Sequence, residues 1–338
     1  GGGGLGGGGY HGLDWKDFGV SDETEEYLEM LPVESEGDLQ ITVGGSGGAS
    51  GSGKLVNVEN TGNITTSGAG SIAIVAQSIG GGGGLGGTGA VGEDGDIVVG
   101  GRGGAAGNGG PVTVTQIGDI TTSGVAAHGV LAQSIGGGGG YGGNMDSGID
   151  TFGQMNFAGA QGGGYGGNGD AVTLNTTRTI TTSGRGAIGI LAQSIGGGGG
   201  LGGGIGTGFN FGPVTVTSSG IRFAGSAGGM GASGSVTINH LGDIETTGSK
   251  AHGIVAQSIA GTAGTLSGNN YSGQAGTVTV SSSGQIGASG ENAHGIVAQS
   301  LGAAGNGDII VNINSGTVAG GSGSGVGIMI LTGATYVI

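Results

Sequence analysis

Three histidines are the first residues whose type and spacing suggest chemistry. His128, His252 and His294 stand at one place in a recurring segment, two residues before a run led by Val or Ile. A structural metal needs three or four converging ligands, and only His252 and His294 come from neighbouring copies. Ile72 and Ile188 hold the same place elsewhere. The position therefore reads as a half-buried corner, with no metal expected. Catalysis by paired carboxylates needs two acids facing one cleft, and no such pair rises above the background. No glycine tract is followed by Lys-Ser or Lys-Thr, so no phosphate-cradling loop is present. No enzyme is expected.

Two weaker patterns remain. Gly-Gly-Asn-Gly-Asp at 166–170 is similar to a calcium-binding nonapeptide repeat. Its Asp is one place off and no nine-residue tandem follows, so Asp170 reads as a surface acid. Asp94 and Asp96, or the cluster from Asp22 to Glu29, leave room for weak Ca²⁺ binding; no other cofactor is expected. Thr65-Thr66, Thr121-Thr122 and Thr181-Thr182 could stack as ladders. Flat ice-binding arrays need Thr-x-Thr on one face, whereas adjacent strand residues point to opposite faces.

Composition narrows the class. Of 338 residues 98 are Gly, with 3 Pro and no collagen triplet. Charged residues are 9% and the formal net charge is -15. The seven basic residues are scattered, so nucleic acid and anionic membranes are not expected partners. No run of about 18 apolar residues could span a bilayer as a helix. There is no Cys, and no signal peptide is visible. The chain opens on Gly1-Gly2-Gly3-Gly4-Leu5, inside a repeat, and is expected to be a fragment of a longer chain.

The repeat carries most of the information. Ala-Gln-Ser-Ile recurs with Gln at 77, 133, 193 and 257, and Gln299 opens a fifth copy ending in Leu301. Each copy closes a unit with three strand signals: an alternating Val-Thr run, a short Ile-Thr run, and the Gly-to-Ile segment containing the Gln. β-branched residues, period two and Gly punctuation favour strand. Stacked coils of about 24 residues predict an all-β parallel β-helix, rising about 4.8 Å per coil. The expected columns are Val56, Val112, Val172, Val236, Val278 and Val311; Ile64, Ile120, Ile180, Ile244 and Ile286; and Ala76, Ala132, Ala192, Ala256 and Ala298. The Gln column reads either as an amide ladder or as a partly exposed polar face. Which face of the third strand points inward stays open.

After Ile79, Ile135 and Ile195 come five Gly, then Leu85, Tyr141 or Leu201, then two more Gly. A second tract returns after a short strand, such as Ile41-Thr42-Val43 or Ile97-Val98-Val99. Each pair reads as an arm leaving the helix and coming back, with the variable segment at its tip. Either the tracts pack flat on one another with Leu85, Tyr141 and Leu201 as anchors, or they are flexible linkers. The expected domains are 1–54, a glycine-rich arm with an acidic insert at 11–38, and 55–338, the repetitive β-helix with its glycine-rich inserts. The insert holds ten of the 22 acidic residues. It predicts a short helix near 22–31. Trp15, Phe18 and Tyr27 make it a candidate contact tip, against the alternative that it covers a sheet edge.

Gly-Ile-Val-Ala-Gln-Ser-Ile at 253–259, with the glycine variant at 80–87, resembles the passenger regions of large bacterial autotransporters. The likeness covers most of residues 39–331. It implies a β-helical passenger on the bacterial cell surface, exported across the outer membrane through a C-terminal β-barrel outside residues 1–338. It also implies adhesion, through host or neighbouring-cell molecules or self-association. A purely structural filament or surface-layer rod is the other reading.

Overall fold

The computed structural model describes residues 8–12, 40–87, 89–90, 97–99, 101–142, 145–146, 156–159, 163–199, 215–217, 220–223, 228–261 and 273–337. It is a stack of parallel strands: a β-helix, all-β among the described residues. Three parallel sheets line the coil. The first runs from Val56–Asn60 through Val112–Gln116, Val172–Thr176, Val236–Leu241 and Val278–Ser283 to Ile309–Ser315 and Tyr336–Val337. The second begins at Ile64–Thr66 and the third at Ile74–Ile79; each has six strands.

The predicted columns form. Val56, Val112, Val172, Val236 and Val278 are register partners in turn, as are the five Ile residues of the second sheet. The five Ala residues line up in the third. All three columns belong to one aliphatic cluster inside the coil. One residue was misplaced. Val278 pairs with Ile309, and Val311 pairs with Val280. Period two keeps both Ile309 and Val311 inward, so the face is right and the register is off by two. A register irregularity between Ser282 and Ser283 lengthens that last strand.

The corner before the third strand is built the same way in every coil. One residue there adopts positive φ: Gly70 (70°), Ala126 (53°), Gly186 (67°), Lys250 (56°), Asn292 (56°) and Gly323 (69°). In the first four coils the inward Thr hydroxyl of the second strand closes this turn, a place taken by Ala288 in the fifth. Thr66, Thr122, Thr182 and Thr246 donate to the carbonyls of Ser71, Ala127, Ala187 and Ala251 at 2.5–2.6 Å. Buried Thr122 and exposed Thr121 point opposite ways, as adjacent strand residues must.

The glycine tracts are ordered arms. The third strand of each long coil runs straight on into an outgoing arm, Gly80 to Gly87 in the first. A returning arm, such as 101–110, lies antiparallel beside it and feeds the next first strand. Bonding repeats every third residue. Gly80, Gly83 and Gly86 donate sideways to Ile135, Gly138 and Tyr141 of the next outgoing arm. Gly81, Gly84 and Gly87 donate across to Gly51, Gly48 and Gly45 of a returning arm. Gly101, Gly104 and Gly107 donate back to Gly87, Gly84 and Gly81. Three residues per turn with no internal bond is the polyproline II helix. The arms form a two-layer slab of such helices, held almost entirely by backbone.

Exposure follows the same period: Gly82 and Leu85 are exposed, Gly84 and Gly87 buried, Gly83 and Gly86 between. Leu85 and Tyr141 thus take the open position of their turns and are exposed; Leu201 lies outside the described residues. A Cβ on Gly83 would run into the Gly104 carbonyl, and one on Gly107 into that of Gly51. At Gly138 the nearest atom would be 4.0 Å away. The inward Ser of each Ala-Gln-Ser-Ile segment pins the base of the slab. Ser78 donates to the Lys54 carbonyl at 2.7 Å and accepts the Gly110 N–H at 2.9 Å. Farther out, the short strands Gln40–Gly44, Ile97–Val99, Asn156–Gly159 and Gly220–Phe223 stack in parallel as an arm sheet.

Neighbouring glycines of one arm give a direct check. Gly83→Ala forces a methyl group onto the facing arm and should cost about 1–3 kcal/mol. Gly82→Ala adds its methyl in ordinary contact, 3.6 Å from the Gly138 carbonyl, and should be nearly neutral. Thermolysin cleavage at the Gly84–Leu85 bond, under native conditions, should accelerate for Gly83→Ala and stay at the wild-type rate for Gly82→Ala.

Candidate functional site

The most regular exposed surface begins on the outward face of the third sheet. In Ile74–Ile79, Val75, Gln77 and Ile79 face out while Ile74, Ala76 and Ser78 face in. This settles the orientation of the third strand: Ala and Ser inward, Gln outward. The glutamines form the ladder and also lie on the exposed side. Gln77 donates through Nε2 to Gln133 Oε1 at 2.5 Å, Gln133 to Gln193 at 2.5 Å, Gln193 to Gln257 at 2.6 Å, and Gln257 to Gln299 at 2.8 Å. Each amide keeps one N–H and one lone pair for a partner.

Because the strand runs on into the outgoing arm, the face continues. Beyond the Gln column lies an Ile ridge (Ile79, Ile135, Ile195), then a bare column (Gly82, Gly138, Gly198), then a second ridge (Leu85, Tyr141). In the first two coils Val75 is 50% exposed, Ile79 55%, Leu85 44% and Tyr141 48%, whereas the outward Val255 and Val297 of later coils are buried, at 7% each. No charged side chain stands in any of these columns. Among the described residues, the N–H groups of Gly82, Leu85, Gly138 and Tyr141 have no backbone partner.

The opposite face of the slab differs. Ser52 Oγ accepts the Asn108 N–H at 3.0 Å, Asn108 Oδ1 that of Asn168 at 2.8 Å, and Asn168 Oδ1 that of Ala232 at 2.8 Å. That column closes its own donors, while among the described residues the N–H groups of Ala105 and Tyr165, farther out on the same face, have no backbone partner. The Gly-Gly-Asn-Gly-Asp segment belongs to it: Asn168 is a rung of this ladder, and exposed Asp170 accepts the Ala171 N–H at 2.7 Å.

The histidines form two sets. His128, His252 and His294 are half-buried at the corner, as expected from their exchange with Ile. His128, His252 and His294 accept the N–H groups of Ile188, His294 and Val326 through Nδ1 at 3.0, 2.9 and 3.1 Å. The proton of each neutral ring is therefore on Nε2. The rings of His252 and His294 stack with centroids 4.8 Å apart, 4° from parallel. Burial lowers the pKa of His128, and burial together with the His294 charge lowers that of His252.

A further histidine, His240, was not singled out by sequence. His240 is fully buried in an inward polar column of the first sheet. It follows Asn60, Gln116 and Thr176 and precedes Ser282 in register. Its Nδ1 lies 2.7 Å from Thr176 Oγ1, while its Nε2 and the Ser282 Oγ have no partner. Burial, only partly offset by the Gly242 and Asp243 backbone and the Asp243 charge, pushes its pKa down to about 4. Its even position in the alternating first strand was the available sequence signal, masked by its polar character.

Trp15, Phe18 and Tyr27, and the helix expected near 22–31, lie outside the described residues, as do Asp94 and Asp96. Among the described residues, no group of three or more His, Cys, Asp or Glu side chains is placed to hold a metal. An open depression lined by Gln274, Asn306 and Asp308 lies beside the last coils. The chain matches no family model, no curated protein and no solved structure.

Histidine burial sets a pH dependence. A group whose pKa falls from 6.5 to about 4 on folding lends stability that is complete above pH 6.5 and is lost as pH falls toward 4. At about 1.4 kcal/mol per unit, His240 accounts for about 3 kcal/mol of that loss. His128 and His252 add to it in the same direction. The melting temperature should fall between pH 6.5 and 4. His240→Thr, copying Thr176 of the preceding coil, should flatten much of that fall; an equal fall in the variant would contradict the assignment.

Proposed function

We propose that this chain is a surface-displayed structural and adhesive β-helix, of the kind found in autotransporter passengers. It acts by presenting surfaces and carries out no catalysis. The observation that supports this most is where the length variation falls. Successive Gln residues are separated by 56, 60, 64 and 42 positions, yet the coils stay in register. All of the variation is passed out into the arms. Such a body tolerates change at its tips while its rod is fixed, which suits presentation of variable contact elements from a constant support. The acidic insert at 11–38, with Trp15, Phe18 and Tyr27, is the contact element in this reading. Its partner is a molecule of a host or neighbouring cell surface.

The second reading is a structural rod with no ligand, favoured by the slab, whose interior is built for backbone contact alone. Deleting 11–38 from the full-length surface protein separates the two. With surface display held equal by flow cytometry, loss of cell attachment or of cell–cell aggregation supports the contact element. Unchanged attachment and aggregation leaves the structural rod. Failure to detect the protein on intact cells, with the full chain expressed, would overturn surface display itself.

A further inference from the structure

We propose that the outward face of the first sheet binds ice, its ligand being the ordered oxygen lattice on a crystal face of frozen water. The proposal goes beyond the reading of the chain as a presented rod and does not depend on it. Three observations carry it.

The first is the array. The adjacent Thr pairs of the second strand cannot line one face, but the first strand spaces its Thr residues by two. In Val112–Gln116, Thr113 and Thr115 point outward between inward Val112, Val114 and Gln116. Thr173 and Asn175, Thr237 and Asn239, and Thr279 and Ser281 follow in exact register. One outward column is therefore Thr in four successive coils, and the other is polar and uncharged in the same four. The grid repeats at about 4.8 Å between coils and about 6.6 Å along each strand. The register irregularity of the sheet falls beyond it, between Ser282 and Ser283. Both repeats lie close to the oxygen spacings of a prism face of ice. Asn57 and Glu59 bound the array at one end, and Ile310 and Asn312 at the other.

The second is the state of the hydroxyls. The second column bonds along itself: Asn239 Nδ2 donates to Asn175 Oδ1 at 3.0 Å, and Asn312 Nδ2 to Ser281 Oγ at 3.3 Å. Among the described residues the hydroxyls of Thr113, Thr173, Thr237 and Thr279 have no hydrogen-bond partner, and these side chains are half-buried. β-Branching restricts each to few rotamers. Each hydroxyl offers one donor and two lone pairs, the complement of a lattice water that both donates and accepts.

The third is what separates this face from the others. On the second sheet, outward Thr65, Thr121 and Thr181 are followed in register by Glu245 and Gly287, so a charge interrupts that column. On the third sheet the Gln amides bond to one another. The eight positions of the first-sheet array hold no charged or aromatic side chain. They offer no ring for a sugar to stack on and no cation for a phosphate. Ser and Thr are also under-represented among the hot spots of protein interfaces.

Ice-affinity partition of the purified 338-residue chain, in which a slowly growing ice front takes up or rejects the protein, tests this. Inhibition of ice recrystallisation in the same buffer is the second readout. The wild-type chain should be enriched in the ice and should slow recrystallisation. Thr173→Tyr combined with Thr237→Tyr, which keeps strand-favouring residues and should leave the melting temperature unchanged, should lose both effects. Thr113→Tyr combined with Thr279→Tyr is the second variant and should act alike. Thr121→Tyr, on the exposed face of the second sheet, should leave both effects intact. Rejection of the wild-type chain by ice overturns the proposal. So does uptake that both first-sheet variants leave untouched, or that Thr121→Tyr weakens equally. The proposed function is read separately, on cells.

Discussion

The structure depends on satisfying backbone amides in a chain with few side chains to help. With 98 glycines in 338 residues, long stretches have nothing to bury except peptide groups. Packed peptide groups without partners are costly, and ordering glycine costs more entropy than ordering any other residue. The chain meets both demands with one device: each stretch lies beside equivalent stretches, and bonds run between them at the coil spacing. In the β-helix these bonds form parallel ladders. In the arms they form every third residue, sideways and across. Glycine is required in the slab because a side chain at two of every three positions would strike a neighbouring carbonyl.

The same stacking logic governs side chains. A residue repeated at the coil spacing meets its own kind, so polar residues become ladders: Gln on the outer face, Asn on the returning arms. Inward polar residues are tolerated where they close local backbone. The Thr column satisfies the left-handed corner and the Ser column ties each arm base to the chain coming back. Where the column is mixed, closure fails. His240 and Ser282 follow Asn60, Gln116 and Thr176, and their outer atoms are left without partners. That is the one place in the described core where burial of a titratable group has been accepted.

Much of this was legible in the residues. Period two in Val112 to Gln116 and the repeated Ile120 gave strands, faces and register, since a one-residue slip would turn every side chain over. The paired arms followed from two glycine tracts per repeat. Three things were not legible. Polyglycine carries no side-chain pattern, so a helix with three residues per turn leaves a trace only in where Leu85 and Tyr141 stand. The inward face of the third strand could not be assigned, because Ala76-Gln77-Ser78 offers small and polar residues on both sides. Val311 was placed by its resemblance to other strand-leading Val residues, and the irregularity after Ser282 has no signature in composition. The contact tip at Trp15, Phe18 and Tyr27 rests on sequence alone.

The slab depends on the three-residue period of the arms. Residue-resolved amide hydrogen exchange across 80–87 and 136–142, at a concentration where the chain is monomeric, tests it most directly. Gly83, Gly84, Gly139 and Gly140 donate to neighbouring arms and should be strongly protected. Gly82, Leu85, Gly138 and Tyr141 face solvent and should exchange close to unprotected rates. Alternating protection with a period of two would point to ordinary strands, and uniformly fast exchange to flexible linkers; either would contradict the slab.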